Sequence, residues 1–152
     1  MKARSLLGMP VVNPARGRII GRVRDLLIED FELKGLLIEE ENNKAWLVER
    51  KDFSIGEDAV LVNENGGLKP CQEREKSSYK EGLRETVFDE SGREIGRVSD
   101  LVIDEEAKAT VGIEISGGVI GDFLAGKRPE VSLDSVIVNG SDVVVVESKE
   151  GG

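Results

Sequence analysis

Two aspartates recur at matching points of a repeated peptide. Residues 17–29 read GRIIGRVRDLLIE and residues 92–104 read GREIGRVSDLVID, nine identities in thirteen positions at a shift of 75. Asp25 and Asp100 each stand just before a leucine, with Arg22 and Arg97 three residues upstream. A repeated carboxylate is a candidate for acid–base or metal chemistry. Such chemistry needs converging polar groups, and here the acid keeps company with glycines and apolar residues. The residues fit a structural reading better: a carboxylate that accepts backbone N–H groups at a bend, or pairs with Arg22 and Arg97. A second peptide, GDFLAGKR at 121–128, spells G-x-x-x-x-G-K. A phosphate loop needs Ser or Thr next and then a helix. Arg128, Pro129 and a valine-rich run follow instead, so nucleotide binding is not expected.

The composition narrows the chemistry further. The 152 residues include no His and one Cys, Cys71 in a charged segment. That removes most zinc sites, every Ser-His or Cys-His nucleophile system and any internal disulfide. No catalytic residue, cofactor or metal is expected. The formal net charge of −9 does not fit a general nucleic-acid binder. The N-terminal apolar run is too short and broken for a secretory signal. No apolar run approaches the ~18 residues of a membrane helix. A cytoplasmic protein without an integral membrane segment is expected.

The elements behind the motif repeat as well. LKGLLIE (33–39) resembles ATVGIEI (109–115), and SIGEDAVLV (54–62) resembles VNGSDVVVV (138–146). Three matches in one order mean tandem domains. The growing offset places an insertion in the second repeat around 117–130. Domains are expected at 1–66 and 82–148, with a polar linker at 67–81 and a tail at 149–152. Short β-branched segments between turn residues predict strands near 8–12, 19–29, 34–39, 45–49 and 58–62. In the second repeat they fall near 84–88, 94–104, 109–116, 129–133 and 142–147. RKDFSI (50–55) and LDSVIV (133–138) read as one kind of connecting turn. A short helical piece is expected in QEREK, within 72–76.

Gly17 and Gly92 sit at hairpin turns, where glycine permits φ > 0. Gly21 and Gly96 lie inside a strand and mark a bulge or barrel corner. Val23 would face opposite Leu26 and Ile28 in strict alternation, so a bulge or strong twist is expected within 21–25.

This layout resembles the PRC-barrel family. The resemblance rests on an opening SLLGMPVV, then GR-x-IGRV-x-DL-x-I-[DE], a glycine-containing strand, and GEDAVLV or GSDVVVV. It spans roughly 4–64 and 82–147. It implies an all-β chain of two small antiparallel barrels of the SH3-like type, used as protein-interaction modules without catalytic residues. Relatives implied include the cytoplasmic domain of the photosynthetic reaction centre H subunit and the C-terminal domain of the ribosome maturation factor RimM. Neither specific role carries over whole, because the H subunit's membrane helix and RimM's separate N-terminal domain are lacking.

Function is expected where the repeats differ. The insertion offers Ile120, Phe123, Leu124, Lys127 and Arg128 in a hairpin loop whose apolar residues either tuck against the barrel or, if exposed, form a partner-binding knob. The start offers Lys2, Arg4, Arg16, Arg18, Arg22 and Arg24 with no acid among residues 1–24. Those cations are ordinary solvated strand faces or a patch for an acidic protein or RNA backbone. Trp46, without a counterpart in the second repeat, is core packing or a partner hot spot. The leading expectation is a non-enzymatic adaptor with an unidentified protein partner, or a homo-oligomer. The alternative is a RimM-like accessory in RNA processing that contacts ribosomal RNA.

Overall fold

The computed structural model describes residues 1–63, 67–71, 78–83, 85–117, 130–138 and 143–146, with side chains for all but 81, 135–138 and 143–146. The chain divides into two compact units, Met1–Glu81 with Asp104–Ala109, and Gly82–Ile103 with Thr110–Gly152. The expected insertion residues Ile120, Phe123, Leu124, Lys127 and Arg128 and the QEREK piece lie outside the described residues.

The first unit holds β1 (Pro10–Asn13), β2 (Arg18–Glu29), β3 (Glu32–Glu39), β4 (Ala45–Glu49), β5 (Phe53–Ile55), β6 (Val60–Val62) and β7 (Leu68–Pro70). They form one curled sheet in the order β5-β6-β1-β2-β3-β4-β7. β4 and β5 stand far apart in that order but are consecutive in sequence, joined by a 3₁₀ turn at Arg50–Asp52. The covalent chain therefore bridges the ring, and β7 adds outside β4.

The second unit repeats the plan. It holds β8 (Thr86–Asp89), β9 (Glu94–Asp104), β10 (Ala109–Ser116), β11 (Glu130–Ser132), β12 (Val136–Val138) and β13 (Val143–Val146). Their order is β11-β10-β9-β8-β13-β12, and a 3₁₀ turn at Leu133–Ser135 joins β11 to β12. The expected connecting turns at 50–55 and 133–138 are these 3₁₀ turns with the short strands that follow.

Each unit departs from a purely antiparallel barrel at one pairing. β1 runs parallel to β6, and β8 runs parallel to β13. The 3₁₀ turn hands the chain from β4 to β5 without reversing it: β4 runs opposite to β1 through the antiparallel series, and so does β5, which opposes the β6 that runs parallel to β1. One reversal fewer leaves the closing pair parallel.

The core of the first unit gathers Leu6, Val11, Val23, Leu26, Leu33, Leu36, Ile38, Val48, Phe53 and Val60, all buried. β2 reaches this core from both its halves because it is irregular. Its ladder to β3 shifts register between Val23 and Asp25. Arg24 is the extra residue, and the shift puts Val23, Leu26 and Ile28 on the buried side, as a bulge does. β9 buries Val98, Leu101 and Ile103 at the same spacing. The glycines before the bulge answer a second need. A Cβ at Gly21 would lie 2.6 Å from the carbonyl oxygen of Glu39 and 2.9 Å from Ile38 Cγ2. A Cβ at Gly96 would lie 2.5 Å from the carbonyl of Ser116. Gly17 and Gly92 instead have open space but positive φ, +62° and +83°.

Part of the stretch read as linker is structured. β7 pairs with β4 through Trp46↔Pro70, Leu47↔Lys69 and Val48↔Leu68. Lys69 Nζ donates to Glu49 Oε1 at 2.9 Å. Within the first unit, Lys108 donates from Nζ to the carbonyls of Arg50 and Phe53 and lies 5.1 Å from the Phe53 ring centroid. Burial, and then the neighbouring Arg50, pushes its ammonium below the ordinary value.

Two predictions follow from this geometry. Gly21→Ala forces the Glu39 carbonyl to move, at a cost of about 1–3 kcal/mol for overpacking. Urea denaturation reads this, and a change under roughly 0.5 kcal/mol, the scatter of neutral surface substitutions, would contradict the close approach. The second prediction concerns β7. The hydrogen bond from Lys69 holds the Glu49 carboxyl below its ordinary 4.5, and the bond to Glu49 holds Lys69 above its ordinary 10.5. A depressed carboxylate stabilises above its unfolded value, and the gain is lost as pH falls through the folded one. A raised ammonium stabilises below its unfolded value, and the gain is lost as pH rises through the folded one. Slow amide exchange in β7 should therefore hold between these limits and weaken at both. Lys69→Met should erase the difference between mid-range and acid pH.

Candidate functional site: a groove at the edge of β2

β2 is longer than either neighbour, and that sets up the site. Its N-terminal part pairs with β1 through Arg18↔Asn13, Ile19↔Val12, Gly21↔Val11 and Arg22↔Pro10, with Ile20 left over as a bulge. On the other side, its ladder to β3 ends at Arg22↔Glu39. Beyond Glu39 the chain turns away, with the Glu40 N–H bonded to the Lys44 carbonyl and the Asn43 N–H to the Glu40 carbonyl. Residues 18–21 thus have no ladder partner on that side among the described residues.

A groove of about 820 Å³ opens there. Arg18 to Arg24 line one wall, Glu39 to Asn42 another, and Lys80 adds a further cation. Arg24 Nη1 pairs with Glu39 Oε2 at 3.2 Å, with both side chains about half exposed. Arg22 Nη1 donates to the Gly8 carbonyl at 2.9 Å, so it steadies the entry to β1 and keeps its charge without a carboxylate. Arg16 and Arg18 are exposed and form no ion pair among the described residues. Ile19 is 63% exposed, the most exposed large apolar residue described.

Asp25 lies beneath this wall and is 8% exposed. Its Oδ1 accepts from the N–H of Leu26 at 2.8 Å and of Lys80 at 3.0 Å, and its Oδ2 accepts from the Ser78 hydroxyl. Leu27 and Ser78 form a β-bridge beside it. The carboxylate thus pins the stretch 78–80 and sets Lys80 over the groove. In the second unit Asp100 is fully buried and accepts from the Leu101 N–H at 2.8 Å. Arg22 serves the Gly8 carbonyl, so the expected alternative of an Asp25–Arg22 pair is not what holds this bend. The hairpin before β9 has its own carboxylate: Asp89 Oδ1 accepts from the Ser91 hydroxyl, the Ser91 N–H and the Arg93 N–H. The Ser91 hydroxyl leads in holding that carboxyl below its ordinary value.

The fold and its repeated bend agree with one family model, that of the PRC-barrel domain, which matches residues 1–69 and again 75–152. The chain belongs to the PRC-barrel family. No curated protein is similar enough to count as a match. Among the described residues of this tandem PRC-barrel chain, no helix is long and apolar enough to cross a membrane.

The structure brings Arg18, Arg22 and Arg24 of the basic start to one groove and sets Arg16 in the hairpin before it. Trp46 lies elsewhere, half-buried on β4 between Ile38 and Pro70. Sequence reasoning missed Ile19 and Lys80, and it did not place the acidic residues Glu39–Glu41 beside the arginines. Ile19 did leave a signal. The second repeat places Glu94 at the matching position, and Glu94 is exposed. An apolar side chain that its twin replaces by a carboxylate is not required by the core.

Removing the Asp25 carboxylate tests the pin. In Asp25→Ala the N–H groups of Leu26 and Lys80 lose their acceptor, which costs about 1–3 kcal/mol where such donors stay buried. Amide exchange at Lys80 should accelerate in Asp25→Ala and much less in Asp25→Asn, which keeps one acceptor oxygen. Unchanged exchange at Lys80 in both variants would show that 78–80 is held by something else.

Proposed function

We propose that this PRC-barrel protein is a non-enzymatic adaptor of the cytoplasm that holds another protein in the groove beside β2. The observation that carries the reading is the exposed Ile19 in a groove that Arg18, Arg22, Arg24 and Lys80 also line, at an edge where the ladder to β3 stops short. An apolar residue ringed by charge is the composition of a protein-recognition patch. The second unit keeps the fold with Glu94 in place of Ile19 and Ser99 in place of Arg24, so these side chains are free to serve a partner. The partner contacts expected of Ile120, Phe123, Leu124, Lys127 and Arg128 rest on the sequence alone.

The RNA-processing reading draws on the same arginines. Against it, Ile19 stands exposed in the groove, and a phosphate backbone has no apolar surface to cover it.

A pull-down from the native cell extract separates the readings. The full chain and an Arg18→Glu/Ile19→Glu variant are compared, with and without nuclease, at two salt concentrations. The adaptor reading predicts that specific protein bands survive nuclease and are lost in the variant, whose fold is checked by circular dichroism. Retained ribosomal RNA that falls steeply with salt, with no nuclease-resistant protein, would overturn it.

A further inference from the structure

We propose that the open edge of β2 at Arg18–Gly21 takes up an extended segment of a partner protein as an added strand, and that acidic and apolar residues alternate along that segment. This rests on the adaptor reading and specifies its mode. Three observations lead to it. The first is the ladder. β2 begins at Arg18, while its pairing with β3 begins only at Arg22. Backbone groups along a strand point alternately to its two sides, so a stretch of this length offers N–H and C=O groups to a newcomer. The second is the room. The groove of about 820 Å³ lies along this edge, bounded by the turn that begins at Glu40. The third is the side-chain pattern. Successive strand residues point to opposite faces, which sets Arg18 on one face and Ile19 on the other. A strand laid beside them meets a guanidinium on one face and an exposed isoleucine on the other. Cross-strand pairs of opposite charge and of apolar side chains are what stabilise such an addition.

The same features choose between occupants. A second copy pairing through its own β2 edge would set Arg18 and Arg22 against their equivalents, and like charges directly opposite are destabilising. A nucleic acid offers no apolar face for Ile19, which is 63% exposed. An acidic, alternating peptide meets the arginines and Ile19 together. Exposed charges on an edge strand also keep chance partners away, so the arginines make the edge selective.

The test uses the full chain and three synthetic probes: an eight-residue peptide alternating Glu and Val, the same peptide N-methylated at every second residue, and an eight-nucleotide uridine RNA. Amide chemical shifts are followed by NMR. The proposal predicts that the Glu-Val peptide moves the amides of Arg18–Gly21 and Glu39–Asn42. It also predicts that N-methylation on the pairing side weakens binding by about tenfold or more, the worth of one or two hydrogen bonds. Ile19→Glu, which imports the second repeat's own residue, should weaken the unmodified peptide by a similar factor while leaving the rest of the spectrum in place. Equal binding of the methylated and unmethylated peptides would overturn the added strand but spare the adaptor reading. So would shifts confined to other surfaces, or dimer formation through this edge. RNA binding at these amides, with no peptide binding, would overturn both.

Discussion

One strand serves two ladders, and the rest of the first unit follows from that. β2 must lie beside β1 at its start and beside β3 along the remainder. A small barrel turns too sharply for a straight twelve-residue strand to do both. The bend needs a residue without a Cβ where the Glu39 carbonyl closes in, and Gly21 supplies it. It needs an extra residue to restore the buried face, and Arg24 supplies that. The backbone freed by the irregularity needs an acceptor, and Asp25 supplies it from a position that is 8% exposed. Burying a carboxylate is tolerated when several donors converge on it, and three do so here.

The bend also explains why an interaction edge exists at all. β3 cannot follow β2 past Arg22, because the chain must turn at Glu40 to reach β4. What remains of β2 is held by β1 on one side and open on the other. Natural sheets protect such edges with charge and bulges. Both are present, in the arginines and at Ile20, but Ile19 is left exposed among them. A surface meant only to repel has no use for that isoleucine. This is the physical ground for reading the edge as a selective one.

Much of the fold was legible because the chain states it twice. A glycine, an acid and core apolars that recur at one spacing must answer a shared structural demand. The broken alternation of Val23, Leu26 and Ile28 marks the bulge in the sequence itself, where the ladder shifts between Val23 and Asp25. The parallel closing pair was less legible, since it depends on whether the turn at Arg50–Asp52 reverses the chain. The groove was the least legible. Its walls come from Arg18–Arg24, Glu39–Asn42 and Lys80, and only the register of β2 against β3 brings them together. Ile19 sits in an apolar pair with Ile20, and nothing in that pair marks it as exposed. Lys80 fell in a stretch that looked like plain linker, because its order depends on a carboxylate 55 residues away.

The account stands on the open edge at Arg18–Gly21, and site-resolved amide exchange of the free full-length chain tests it most directly. It predicts slow exchange at Val23, whose N–H is bonded to the Met9 carbonyl, and at Leu26, whose buried N–H is bonded to the Asp25 carboxylate. Within Arg18–Gly21 it predicts a mixture, with amides turned toward β1 protected and those turned toward the groove exchanging fast. Uniform strong protection across Arg18–Gly21 would mean that the edge is already paired, and the account would fail.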